Sequence, residues 1–420
     1  MVKSNLWLTA AVVGAAACTN YVDAILPRTT ADGGTKVDVG TKMDVDSAEK
    51  PLISLDSRFG QDGTFSLAVS ANDEVADAFI GPNGTTYVLL KESCTLVAVT
   101  GNGVLDATFG KGGVLRAEPT CVAQRLTLDR QNKRILVITK GSPNSIMFAH
   151  NLDGSPSVTL ADGDKVKIDF SNVSSVLPTR NGFLIAGMGT NMAGVVVGAF
   201  DVKGIMLNRE TVSLADASSK AYVYSVDDGT TFVLNGTRSA DGLPIMDLAI
   251  TSATEFAKLG STMTFNPLGI TGSALASLTT ATRGFGDQPL VLGEGWRKDA
   301  PMDQLPMIWA PTDMKFGDRG VTTLPHGMTT VYVDLAFGPG LTAVVGSDGI
   351  MGEQRPALTL LDGQGNLDPH VAKTGFFTLP FADPSAAAKV LFANDGAILV
   401  LGNIGFQGKA SLFISRLVLN

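Results

Sequence analysis

The chain has 420 residues, of which Gly at 47 and Pro at 19 make about 16% turn formers, while charged residues reach only 17% against about 25% in ordinary domains. A disordered bulk is thereby excluded. The formal charge of −8, from 32 basic and 40 acidic residues without a Lys/Arg cluster, excludes a partner recognised by its phosphate backbone, such as nucleic acid. In chain order, the first apolar run is too short to cross a bilayer and reads as an export signal: Lys3, then Leu6 to Gly14, then Ala15-Ala16-Ala17 before Cys18.

Small residues directly before a cysteine resemble the lipobox of bacterial lipoproteins, whose cysteine thiol is diacylated once the preceding peptide is removed. The resemblance implies a signal peptide over 1–17, lipid on Cys18 and, with Thr19 following, sorting to the outer membrane. Two acyl chains hold far more firmly than one. Ordinary cleavage after an A-x-A site is the competing reading. Residues 18–50 then carry Asp, Lys, Thr and Gly with little apolar period, which predicts a flexible, lipidated tether ahead of a folded body over 51–420. Export places Cys94 and Cys121 in an oxidising compartment, as a candidate disulfide or as two small buried thiols in separate strands.

Within the body, seven short apolar runs recur at intervals of roughly 47–57 residues: Thr86 to Leu90, Ile135 to Ile138, Phe183 to Gly187, Thr231 to Gly236, Leu290 to Gly293, Ala343 to Gly346 and Ile398 to Gly402. That is a propeller-blade period. Hairpin turns such as Asn83-Gly84, Asn181-Gly182, Asp228-Gly229 and Asp395-Gly396 precede several runs, and Gly194 to Phe200 and Ala410 to Leu417 read as third strands. The expectation is an all-β chain forming a single propeller of seven four-stranded blades, with closures at six or eight as the rival counts. Strand Thr64 to Val69 should complete the last blade, because pairing it with the C-terminal strand removes two open edges at once.

Turns before the fourth strands carry a shared pattern: Leu55-Asp56-Ser57-Arg58-Phe59-Gly60, Leu105-Asp106-Ala107-Thr108-Phe109-Gly110 and Phe316-Gly317-Asp318-Arg319-Gly320, with a degenerate copy at Asn366 to His370 and Thr374 to Phe376. These are similar to the delta-60 repeat of bacterial surface and exported proteins, signature L-D-x-x-F-G-x-x-G. Between 118 and 315 only the period supports a repeat. The resemblance implies a propeller-like architecture and transfers no catalytic residues.

Aligning the seven first strands on their turn residues gives one polar column: Asp77, Arg125, Ser175, Tyr222, Ser277, Asp334 with a one-residue slip, and Lys389. Innermost strands border a propeller's channel, so this column is the candidate binding site. Its balanced charge suits a hydrated, ion-paired funnel better than a metal cage. His150, His326 and His370 read as solvent-facing, and none has the spacing of a metal site. Asp162-Gly163-Asp164 and Asp227-Asp228-Gly229 read as turns rather than calcium loops, since neither reaches the required twelfth acidic ligand. Trp296, Trp309 and Pro301 to Met307 read as the longest loop, either a contact surface or a partly buried loop.

These features favour a membrane-anchored binding or scaffold module, with a protein or carbohydrate partner in the envelope and no catalytic set, metal or cofactor. The alternative is an exported propeller enzyme of lactonase or quinoprotein type, with its site at the channel and several convergent carboxylates, Asn or His. A structural envelope protein packing against neighbours is the third reading, favoured by any exposed apolar patch.

Overall fold

Every residue of Thr86–Leu90 is buried, because the sheet that contains it is covered on both faces. Tyr87 and Leu89 pack toward Leu126 and Val137 of the following sheet, while Val88 and Leu90 pack toward Leu401 and Leu412 of the preceding one. A strand buried on both sides reads as an unbroken apolar run. All seven runs found in the sequence prove to be second strands: Thr86–Leu90, Arg134–Lys140, Gly182–Gly189, Thr231–Arg238, Pro289–Arg297, Leu341–Asp348 and Ile398–Ile404.

A computed structural model describes residues 53–420 except 71, 118–120, 191–194, 213–220, 226–230, 239–245, 254–258, 266–272, 285–287, 298–299, 328, 351, 369–370, 372–374 and 406–409. Between 212 and 277, and between 297 and 304, it gives only the course and pairing of the strands. The signal segment, the tether with Cys18, His370 and Asp227-Asp228-Gly229 lie outside the described residues. Among the described residues all regular structure is strand and all pairing between strands is antiparallel, as an all-β propeller requires.

The strands hydrogen-bond into six blades rather than the seven separate ones expected. The difference lies at one residue pair. Met246 extends beyond the last pair Leu248↔Phe265 of its own hairpin, so its backbone is open to Leu275, and the strands from Ala221 to Thr323 become one eight-stranded sheet. Two periods of the sequence are therefore continuous there. The inner strands Val75–Ile80, Val122–Asp129, Phe170–Thr179, Ala221–Ser225, Ser273–Arg283, Val331–Gly338 and Ser385–Phe392 each lie against the next, and the last lies against the first. First-to-second and third-to-fourth turns share one face of this ring, here the hairpin face; the remaining connections form the opposite, loop face.

The ring closes as its edges demand. Thr64–Val69 pairs with Ala410–Leu419 through Phe65↔Ile414, and Ile53–Leu55 pairs with the end of the same strand through Ile53↔Leu419. Between the two pieces the chain turns through Asp56, whose carboxylate accepts from the Arg58 backbone N–H and Nε and from Arg416 Nε at 3.0 Å. Arg416, with its side chain only 11% exposed, also pairs with Asp395. One buried cation thus ties the first described turn to the last strand.

The L-D-x-x-F-G turns have a repeated mechanical role. Phe59, Phe109 and Phe316 are buried plugs, and the glycine that follows each donates its N–H to a carbonyl of the next unit: Gly60 to Asn102 at 2.9 Å, Gly110 to Asp153 at 2.8 Å and Gly317 to Gln364 at 2.6 Å. Gly110 sits at φ 53°, where a Cβ would stand 2.5 Å from the Val114 carbonyl oxygen. Pro156 to Gly163 makes the same turn without the signature: Leu160 is the plug, and the Ala161 N–H reaches Lys203 at 2.9 Å. Asp162-Gly163 is part of this turn, with Gly163 at φ 95°. In the copy at 367–375, Val371 occupies the plug position.

Two other expectations are corrected. Pro301 to Met307 is not a loop but part of strand Ala300–Trp309, and Trp296 and Trp309 are buried rather than displayed. Within that strand Pro306 serves as an acceptor, taking the Leu324 N–H at 2.9 Å, so no proline donor is required. His150 is not solvent-facing either: it lies on strand Ser145–Asn151 at 5% exposure, and burial lowers its pKa.

On the loop face Cys94 is bonded to Cys121, 27 residues apart with Cα atoms at 6.1 Å, linking the first unit to the entrance of the second. Replacing both by Ala is expected to lower unfolding free energy by about 3 kcal/mol, read from urea midpoints. For the closing pair, the hydrogen bonds from Arg58 and then Arg416 outweigh burial and hold Asp56 down at about 2. A depressed carboxylate stabilises the fold above its unfolded value of 3.8 and withdraws that stability as pH falls toward 2. Arg416→Met is expected to cost about 2 kcal/mol at neutral pH. It should also shrink the acid-induced loss of stability between those pH values, measured by chemical denaturation.

Candidate functional site

Six of the seven inner strands carry a register shift at the same place, immediately before the polar column: Val75/Asp77, Ala123/Arg125, Val173/Ser175, Leu275/Ser277, Tyr332/Asp334 and Ala387/Lys389. A bulge re-aims the side chain that follows it. This fixes the column structurally and removes the slip at Asp334: Gly340 is the second residue of its turn, whereas Gly182 already begins the next strand. Aligning the two glycines displaced that one row.

Asp77, Arg125, Ser175, Asp334 and Lys389 come together around a recess of about 250 Å³ toward the loop face. Tyr222 and Ser277 occupy matching strand positions, opposite Leu234 and Glu294, and their side chains lie outside the described residues. Lys389 Nζ stands 3.1 Å from Asp77 Oδ1 and 3.6 Å from Asp334 Oδ1. The ring is ion-paired, as expected, but less hydrated than expected, since Asp77 and Asp334 are 8% and 5% exposed.

Asp77, Asp334 and Arg125 also join neighbouring strands. Asp77 Oδ2 accepts the Leu126 N–H at 3.0 Å, and Asp334 Oδ2 accepts the Val390 N–H at 3.0 Å. Arg125 donates Nε to the Ser174 carbonyl at 2.5 Å and Nη1 to the Gln124 carbonyl at 2.7 Å. Gln124, which periodicity did not single out, sits at the bulge and takes the Val173 N–H at 3.3 Å while its amide donates to Asn172 at 3.1 Å. Buried backbone donors need such acceptors, and the column supplies them.

Burial pushes the Asp334 carboxyl above its ordinary value, against the pull of Lys389 and the Val390 N–H. Burial works against the Lys389 ammonium, yet Asp334 and Asp77 together raise its pKa above the usual lysine range. The Lys389 contribution is therefore complete below that range and fades only as pH rises through the elevated folded value. At Asp334 the sign is the same: acid protonates it sooner in the folded chain, so mild acid withdraws no stability there.

A second recess, of about 380 Å³, opens on the hairpin face between Asp56, Arg58, Asn102, Asn394, Asp395 and Arg416. It lies at the closure seam, and its only sequence signal was the L-D turn. His326 stands apart from both recesses, its Nδ1 3.2 Å from the Leu324 carbonyl. Among the described residues no three His, Cys, Asp or Glu side chains converge as a metal set.

No family model matches the chain, and no curated protein matches it. Solved structures do. Drosophila Semaphorin 2a shares 7% identity at TM-score 0.51, over 85% of this chain and 75% of that one. A prolyl endopeptidase shares 12% at TM-score 0.50, over 80% of this chain and 46% of that one. Virginiamycin B lyase from Staphylococcus aureus shares 10% at TM-score 0.48, over 83% and 99%. At such identities the likeness defines the fold alone, a β-propeller, and its bearers include enzymes and a semaphorin alike.

Removing Lys389 tests the role of the column. Lys389→Met leaves two buried carboxylates uncompensated and is expected to cost about 3 kcal/mol in urea unfolding. Adding Asp77→Asn and Asp334→Asn, which keep an acceptor for the Leu126 and Val390 N–H groups, should recover most of the loss.

Proposed function

We propose that this protein is an exported, lipid-anchored β-propeller that works as a rigid binding or scaffold module for a protein or carbohydrate partner at the bacterial outer membrane. One observation carries the reading: four members of the polar column at the channel hold adjacent inner strands together. Asp77, Arg125 and Asp334 each bond the backbone of a neighbouring strand, and Lys389 neutralises the two carboxylates. A general base or nucleophile needs a free, activated group, whereas a scaffold needs a stiff ring. The lipobox-like run before Cys18 supports the anchor, and the recurring L-D-x-x-F-G latch supports kinship with delta-60 repeat proteins.

Two measurements test this. Mass analysis of the protein from bacterial envelopes is expected to find a mature chain beginning at diacylated Cys18, and an unmodified chain cut elsewhere would remove the anchor. Crosslinking in intact envelopes should capture a stoichiometric partner, whereas a stoichiometric metal or quinone in the purified protein would replace the scaffold with an enzyme.

A further inference from the structure

Nine large apolar side chains are exposed among the described residues, and six of them, Val104, Val158, Val202, Ile205, Met314 and Leu367, sit on hairpin-face turns. A single exposed valine is ordinary; a set gathered on one face marks a contact surface. Val158 is 79% exposed, Val104 55% and Ile205 49%.

Three of these turns are braced by a carboxylate of their own. Asp106 Oδ1 accepts the Thr108 N–H at 3.0 Å, Asp201 Oδ1 accepts the Lys203 and Ile205 N–H groups at 2.8 Å, and Asp362 Oδ1 accepts those of Gln364 and Asn366 at 2.8 and 2.9 Å. The apolar side chains of the same turns stand exposed beside them. The chain also enters the body on this face, since Ile53 pairs with Leu419 at the hairpin-face end of the closing strand.

We infer that the hairpin face rests on a lipid surface, with the apolar turn residues reaching into the headgroup layer. The inference rests on the anchored reading of Cys18. From Cys18 to Ile53 is 35 residues (53 minus 18), and a flexible chain of that length spans about 30 Å r.m.s.. An anchor so close converts weak contacts into intramolecular ones. Exposed cations on the same face, Lys111, Lys133, Arg180, Lys203, Lys315 and Arg319 among them, lie beside exposed acids such as Asp62, Asp162 and Asp318, so the contact combines apolar and charged groups.

The pairing that closes the ring lies within residues 53–420, so a chain begun at Thr19 keeps the closed ring while lacking signal and lipid. Sedimentation with phosphatidylethanolamine–phosphatidylglycerol vesicles is expected to show weak partition of this chain. Val104→Asp, Val158→Asp and Ile205→Asp combined should reduce that partition about tenfold or more without changing the melting temperature. The loop-face control Ile350→Asp, exposed to 59%, should leave it unchanged. No vesicle binding by the wild-type chain, equal binding by the triple variant, or loss on Ile350→Asp would overturn the inference, as would a change in self-association alone. None of these outcomes bears on acylation of Cys18, which the mass measurement decides separately.

Discussion

A ring of sheets must hide its edges, and the hardest place is where the chain first joins the ring and where it leaves. Here the outer strand of the last blade comes from the start of the described chain, so the two ends cover one another. Thr64–Val69 supplies hydrogen-bonding partners to Ala410–Leu419 that would otherwise face solvent or another molecule. Arg416 then fastens the seam through Asp56 and Asp395. Ring stiffness, the geometry of the channel and the placement of the turn residues all depend on that closure.

Stiffness is propagated around the ring by two recurring devices. On the hairpin face each plug residue, Phe59, Phe109, Leu160 or Phe316, is followed by an N–H that reaches the next unit. Toward the loop face the bulges before Asp77, Arg125 and Asp334 each turn a polar side chain to the neighbouring inner strand. Apolar layers fill the space between, as where Phe183 and Phe200 stack at 5.5 Å and join Met147 from the preceding sheet.

Sequence periodicity made the second strands legible because both of their faces are buried. Closure was legible because an edge argument demanded it. Seven separate blades did not follow, because one backbone pair, Met246↔Leu275, merges two periods, and no side-chain pattern encodes a pair of that kind. Pro301 to Met307 was expected in a loop and lies in a strand, where Pro306 sits at a position that needs only an acceptor. The polar column was found by counting back from turns. Its bulges were not, since a bulge inserts a residue without changing composition. Leu160 and Ala161 show that the latch needs a buried apolar plug and a donor N–H, and Phe-Gly is only its most recognisable form.

Thr64 Oγ1 lies 2.9 Å from Ser415 Oγ across the closing strands, so cysteines placed at both positions report directly on the seam. Thr64→Cys combined with Ser415→Cys is expected to form a bond spontaneously in the folded protein, to appear as a linked 64–415 peptide by mass mapping, and to raise the thermal midpoint. Free thiols at both positions in the folded, oxidised protein would show that the first and last strands are not neighbours.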